Sequence, residues 1–255
     1  MKIALAQTTI VWEERDKNIE NAERLIEANK EAGWFFFPEM SFTGFSMNTA
    51  LTAEDDRKTV GIMSGIARSH GVGIGFGWVR SAGPMAENVY TIVGPDGSVV
   101  SEYAKIHPFS FSGEDRKFCG GDKISVFELE GIPFSSFICY DLRFPELFRE
   151  VAKSVHAVVV PACWPAKRSE HWKTLIRARA IEDQVYILGV NCCGDIGGLY
   201  YSGDSCVIDP NGEIKASLSD KEGAVIYELT DDADSFRRRF PVLDDIKDDY
   251  GRFLG

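Results

Sequence analysis

The 255-residue chain is short of several things, and each shortage removes a class of function. No apolar run approaches the roughly 18–20 residues of a membrane-spanning helix. Positive charge is in deficit, with a formal net charge of −11. Nucleic acid and anionic membrane surfaces call for a basic face, so neither is expected as a partner. No C-x-x-C pair occurs among the six cysteines, and no Cys/His cluster has zinc-ligand spacing, which argues against a metal site. The N-terminal MKIALAQTTIVWEE lacks a small-residue cleavage site and is read as a strand, not a signal peptide. Without a secretory signal the cysteines are expected as reduced thiols in a cytoplasmic protein. Adjacent Cys192 and Cys193 are no exception, because neighbouring residues bridge only with strain. Linkers, low-complexity tracts and internal repeats are also missing.

What is present is an ordinary globular composition, 44% apolar and 26% charged. Short β-rich runs alternate with helical spacing. Strands are expected at Lys2–Gln7, Trp34–Phe37, the Gly-rich run GVGIGFGWV, Phe134–Cys139, Ala157–Val160 and Val185–Val190. Helices are expected over about 16–32, 55–70, 146–153 and 169–182. GVGIGFGWV lacks the phosphate-loop fingerprints and leads into more strand, so its glycines signal close packing. GPDG at 94–97 and DPNG at 209–212 each separate two β runs as hairpin turns. The whole chain, 1–255, reads as a single α/β domain with mixed sheets, and residues 235–255 as an extended tail of the kind that covers a neighbouring subunit.

In α/β sheets, ligands gather beyond the carboxyl ends of the strands. Pro38-Glu39 follows WFFF, Lys105 follows SEYA, Cys139 follows FSSFI, and Pro161-Ala162-Cys163-Trp164-Pro165 follows AVVV. Taken singly, these are a turn acid, a surface lysine and a core thiol. Together they are a base, a cation and a nucleophile, the parts for acyl transfer. A free thiol of pKa about 8.5 is only a few per cent thiolate at neutral pH, so a carboxylate base beside it has work to do. An ammonium and the Tyr140 N–H, just past the nucleophile, could hold a tetrahedral oxyanion.

The blocks FPEMSFTGFS, YAKIHPF and FICYDLRFPE resemble the nitrilase superfamily of carbon–nitrogen hydrolases, in which they carry a Glu–Lys–Cys triad in this order. The similarity continues through RARAIEDQVYILGVN and YSGDSCVIDPNGEI to the tail. It implies a four-layer α-β-β-α sandwich, a homodimer, no cofactor or metal, and catalytic Glu39, Lys105 and Cys139. It also implies a fourth catalytic residue, Glu114, which positions the substrate nitrogen or the hydrolytic water. Asp141, Arg143 and Glu146 are expected as an ion-pair network bracing the nucleophile turn, and His107 and His171 as structural hydrogen-bonders. WPAKRSEHWKTLIRARAIEDQ, with FTGFSMN, resembles the ω-amidase branch, which hydrolyses the terminal amide of α-ketoglutaramate and α-ketosuccinamate. Such a small-molecule amide carries a free carboxylate. Arg168 is the candidate cation for it, unless Arg168 is spent on a surface pair with Glu170, and Trp164 is the candidate wall. Cys163 departs from the resemblance, since relatives often carry Asn before this Trp-Pro pair. The alternatives are an N-carbamoyl-amide hydrolase or other aliphatic amidase, a non-catalytic binding protein on the same fold, and a metal-dependent phosphoesterase, for which the chain offers no clustered ligands.

Overall fold

The pleat decides which way each strand faces. In β1 (Lys2–Gln7), Ile3 and Leu5 join one packing layer while Ala4 and Ala6 join another. A computed structural model of the chain describes residues 1–247. After β1 come α1 (Arg15–Ala28), β2 (Trp34–Phe36), the short α2 (Thr49–Thr52), α3 (Lys58–His70), β3 (Gly73–Ala82), β4 (Met85–Val93) and β5 (Val99–Ala104). The second half holds β6 (Val126–Leu129), β7 (Ile132–Ser136), α4 (Pro145–Val151), β8 (Ala157–Ala162), α5 (Ser169–Asp183) and β9 (Tyr186–Asn191). It closes with β10 (Cys193–Ile196), β11 (Leu199–Ile208), β12 (Ile214–Ser219), β13 (Gly223–Glu228) and α6 (Ala233–Arg239).

One sheet has the order β13-β1-β2-β3-β4-β5, and the other β10-β11-β9-β8-β7-β6 with β12 beside β11. β1, β2 and β3 are mutually parallel, as are β7, β8 and β9. Ile19, Ala22 and Ile26 of α1 and Val60, Met63 and Ala67 of α3 cover the outer face of the first sheet, against Ala4, Phe35 and Ile74. On the second sheet α5 lies so close to β9 that a Cβ added at Gly189 would stand 2.1 Å from Ile176. The two sheets enclose a core that includes Leu5, Phe36, Phe134, Val158 and Leu188, all fully buried. Burying a side chain of this size contributes about 1.5–3 kcal/mol. The result is the four-layer α-β-β-α sandwich.

Several boundaries differ from the sequence expectation for local reasons. α1 ends at Ala28, four residues early, where the Asn29 N–H turns back to Ile26 O. α3 begins at Lys58, three residues late, but ends at His70 as expected, stopped by Gly71 with φ of 65°, which glycine takes without strain. β7 stops at Ser136 and not at Cys139, because Cys139–Arg143 winds into a 3-10 turn. β6, β10 and β13 were not expected from the sequence. β13 pairs antiparallel with β1, Lys2 opposite Glu228, and so ties the two ends of the domain. The expectation of an extended tail is overturned for its first part: α6 and a 3-10 turn at Val242–Asp245 form there. The Arg237 guanidinium donates to Ala152 O and Val155 O at 2.8 and 2.6 Å, anchoring α6 to its own chain. The end of the tail, 248–255, lies outside the described residues.

Candidate active site

Three strands, β2 and β5 of the first sheet and β7 of the second, lead into the residues of the candidate site. Glu39 follows β2. Its turn is locked against β3: Ser41 N–H donates to Gly77 O at 3.0 Å, and Gly77 N–H to Ser41 Oγ at 2.9 Å. A Cβ at Gly77 would stand 2.3 Å from Met40 N, so the glycine lets the two backbones meet. This is the close packing expected of the Gly-rich run. It serves to place a carboxylate.

Glu39 is fully buried, and every bond it makes holds it in position. Oε1 accepts from Lys105 Nζ and from Asn88 Nδ2, both at 2.8 Å, and Oε2 accepts from the Cys163 N–H at 2.9 Å. Lys105, at the end of β5, also reaches Glu114 Oε2 at 2.9 Å and Oε1 at 3.2 Å. Burial alone would lower the Lys105 pKa, but the charges of Glu39 and Glu114 more than offset it, and the ammonium is held well above its ordinary value. Glu114 opens a 3-10 turn after Gly113 and accepts from the Phe109 N–H and from Asn88 Nδ2 at 3.1 Å. Burial pushes the Glu114 carboxyl up; Lys105 opposes that push and the Glu39 charge adds to it.

Cys139 sits where the 3-10 turn begins, with φ of 47°. A non-glycine residue in that region is strained and persists only when its surroundings fix it. Asp141, fully buried, does the fixing. Its Oδ2 accepts from Tyr103 OH at 2.8 Å and Ile138 N–H at 3.0 Å, and its Oδ1 from His107 N–H at 3.0 Å, with His107 Nδ1 at 2.9 Å. The brace is therefore a hydrogen-bond hub on Asp141, not the expected ion-pair network. Glu146 is exposed at the start of α4, and Arg143 turns away to lie over the Trp164 ring at 4.7 Å, with Nη2 3.3 Å from His171 Nδ1. Burial pushes the Cys139 thiol well above its ordinary value; the Glu39 charge adds to this and Lys105 opposes it. At rest the sulfur is a protonated thiol. Lys105 pulls toward the thiolate, as an ammonium must, but burial first and the Glu39 charge second outweigh it.

Lys105 and Cys139 form the floor of a cavity of about 160 Å³. Phe45, Phe109, Tyr140 and Trp164 wall it, and Arg143, Lys167 and Arg168 stand around it. Arg168 lies over the Phe109 ring at 5.3 Å, and its carbonyl accepts from Trp164 Nε1 at 2.8 Å. No Arg168–Glu170 ion pair is found among the described residues. Tyr140 occupies the first turn of the 3-10 segment, where backbone N–H groups lack intrahelical acceptors. Among the described residues no group of three or more His, Cys, Asp or Glu is arranged to hold a metal ion. Sequence reasoning missed Asn88, which donates to both carboxylates, and Tyr103. The one available signal for Asn88 was an amide opening the otherwise apolar-rich strand run NVYTIV.

The carbon-nitrogen hydrolase family model matches residues 2–238. The chain belongs to the carbon-nitrogen hydrolase family. As a member of that family it is similar to the 2-oxoglutaramate amidase of Bacillus subtilis, 34% identical with 97% of this chain and 98% of that protein covered. It is likewise 34% identical to the omega-amidase YafV of Yersinia enterocolitica, with 96% of each covered. Among solved structures, a CN-hydrolase superfamily protein of Xanthomonas campestris, whose active site holds an arsenic adduct, superposes with a TM-score of 0.92 at 30% identity, covering 100% of this chain and 99% of that one. An amidase from Nesterenkonia sp. superposes with a TM-score of 0.89 at 25% identity, covering 100% of this chain and 96% of that one. No helix among the described residues of this carbon–nitrogen hydrolase is long and apolar enough to cross a membrane.

Proposed function

We propose that this carbon–nitrogen hydrolase is an ω-amidase, releasing ammonia from the terminal amide of a short α-keto acid through a thioester on Cys139. One observation carries the reading: Lys105 and Cys139 line a cavity walled by aromatic rings and surrounded by three cations, and Glu39 is bonded to Lys105 directly behind them. Glu39 takes the thiol proton as the sulfur attacks the amide carbon. The carbonyl electrons move onto oxygen, where Lys105 Nζ and the Tyr140 N–H receive them. Such donors are worth about 3–4 kcal/mol each in the transition state. The proton on Glu39 passes to the amide nitrogen and ammonia leaves. Water, deprotonated by Glu39, then attacks the thioester, releasing the acid and restoring the thiol. Glu114 orients Lys105 and, through it, the nitrogen or water.

The substrate assignment draws on the two relatives above, whose names specify 2-oxoglutaramate amidase and omega-amidase. It also draws on the cations: a free carboxylate entering a chain of net charge −11 needs local positive charge, and Arg168 and Arg143 offer it against Trp164 and Phe109. The protein is further proposed as a cytoplasmic homodimer, in keeping with its six free thiols and with the family resemblance. Light scattering on the purified chain checks the dimer. Ammonia release from α-keto amides, carbamoyl amino acids, simple aliphatic amides and nitriles tests the substrate. Fastest turnover is expected on the α-keto amides, and a clear preference for carbamoyl compounds overturns the assignment. Cys139→Ala is expected to abolish ammonia release while the far-ultraviolet circular dichroism stays unchanged; activity near wild type sinks the nucleophile.

A further inference from the structure

Three neighbouring parallel strands of the second sheet each release a cysteine just past their carboxyl ends: Cys139 after β7, Cys163 after β8 and Cys192 after β9. Ser136 is level with Val159, and Val159 with Leu188. Cys163 and Cys192 therefore stand at one pleat level. Cys139 opens the 3-10 turn two residues past Phe137, whose N–H still bonds to Val159 O. It lies near enough to Cys163 for the two thiols to interact electrostatically. Adjacent strands lie about 4.8 Å apart. That spacing falls inside the roughly 4.4–6.8 Å range of Cα separations that a disulfide spans.

Of the three thiols, Cys139 and Cys163 line the same cavity. Both stand against Glu39: the Cys163 thiol donates to Glu39 O at 3.2 Å and its N–H to Glu39 Oε2 at 2.9 Å. Cys192 is fully buried behind Cys163, in a cluster with Ile10, Ile196 and Tyr201. The amide hydrolysis uses the Cys139 sulfur and leaves the Cys163 sulfur idle. An idle thiol beside a nucleophilic one has a chemistry of its own.

We propose that Cys163 is a resolving thiol, and that Cys139 and Cys163 form a reversible disulfide when a small hydroperoxide enters the cavity. The Cys139 sulfur attacks the terminal peroxide oxygen, the O–O bond breaks, and the thiol proton travels by way of Glu39 to the leaving oxygen. Cys139 becomes a sulfenic acid and the hydroperoxide is reduced to an alcohol, or to water when it is hydrogen peroxide. The Cys163 sulfur then attacks the sulfenic sulfur. The S–OH bond breaks, and the hydroxide leaves as water with the Cys163 proton. In sum two thiols lose two electrons and two protons, and the peroxide takes them. An external dithiol reverses the bridge by exchange. Capture at this stage keeps Cys139 from the sulfinic and sulfonic acids, which thiols do not reduce.

The inference rests on Cys139 being the reactive thiol of the proposed amidase, so its test includes a readout that needs no turnover. Purified wild type, Cys163→Ser, Cys163→Asn and Cys192→Ser are each treated with hydrogen peroxide and quenched. Intact mass, a non-reducing peptide map and ammonia release before and after dithiothreitol are then measured. Wild type and Cys192→Ser are expected to lose two hydrogens and to yield a linked Cys139–Cys163 peptide pair. Their turnover should fall by about tenfold or more and return with dithiothreitol. Both Cys163 variants, each compared with its own untreated activity, are expected to gain two or three oxygens on Cys139 and to stay inactive. The proposal is overturned by oxygens accumulating on wild-type Cys139 without the bridge, by a Cys163–Cys192 bridge in its place, or by a Cys163 variant that recovers as fully as wild type. If untreated wild type releases no ammonia from any amide, the functional reading fails while the peptide map still decides the bridge.

Discussion

Replacing Lys105 with Met removes one ammonium from between two carboxylates that are 0% exposed. Methionine nearly matches the lysine stem in shape, so the change is one of charge. Glu39 keeps bonds from Asn88 and Cys163, and Glu114 keeps those from Asn88 and Phe109, but neither retains a cation. Breaking a buried ion pair by removing one partner costs about 3–5 kcal/mol. For a domain of this size that is a fall in melting temperature of about 6–20 °C. The sign of its pH dependence follows from linkage. Without Lys105 the folded-state pKa of Glu114 rises further above the unfolded value of about 4.3, so the folded form holds a proton that the unfolded form releases. Stability is then retained at acid pH and lost as pH rises past about 4.3, at up to about 1.4 kcal/mol per pH unit for each proton involved. Glu114, already raised in the wild type, is the group that carries most of this. Urea denaturation of wild type and Lys105→Met at pH 5 and pH 8 measures it: the deficit should be larger at pH 8, and adding Glu114→Gln should recover part of it. A deficit that is absent, or that grows toward acid pH, refutes the buried-pair reasoning.

Alkylation of Cys139 by iodoacetamide should be slow at pH 7 and climb steadily through pH 9, because burial and the Glu39 charge hold the thiol protonated. A labelling rate already flat below pH 7 contradicts that assignment. Gly77→Ala should cost about 1–3 kcal/mol in denaturant titration and lower kcat, since its Cβ meets Met40 N at 2.3 Å and displaces the Glu39 turn. An unchanged kcat shows that the turn can shift without moving the carboxylate. Arg143→Ala and Arg168→Ala should each raise KM for α-keto acid amides by about 10- to 100-fold, while leaving a neutral amide such as propionamide within a few-fold. Equal effects on both substrates place these cations outside substrate binding.

The strand-end residues were legible in the sequence because each apolar run stops abruptly on a residue that does not belong in a core. Glu39, Lys105 and Cys139 could be read that way, and the fold brings them together. Asn88 and Tyr103 could not. They lie within strand runs whose alternation is filled by ordinary packing residues, and only the folded register turns Asn88 Nδ2 toward two carboxylates and Tyr103 OH toward Asp141. Asp141 and Arg143 were legible as charged residues but not by role. Two residues apart on a 3-10 turn, one points inward to hold the turn and the other outward over Trp164. β13 was hidden for a different reason: its half-buried GAVIYE gains its place from pairing with β1 more than two hundred residues away, which no local pattern encodes.

The protonated thiol looks at first like a handicap for a nucleophile, yet the charge count explains why it is not. At rest the buried group comprises one ammonium, Lys105, with carboxyls at Glu39 and Glu114 and a neutral sulfur at Cys139. A free-standing thiolate would put a negative charge in a buried place beside the charge of Glu39, and both work against it. When Glu39 takes the thiol proton in the proposed mechanism, negative charge moves from carboxylate to sulfur and the total stays constant. As the sulfur attacks, the charge moves on to the substrate oxygen beside the same Lys105. Each step relocates charge within reach of one fixed cation, so no solvent has to reorganise around it. In the proposed mechanism the raised thiol pKa therefore goes with a base that takes the proton in concert with attack. It also predicts that amides, whose carbonyl can accept the charge, should consume the nucleophile faster than small alkylating agents that leave the proton transfer uncoupled.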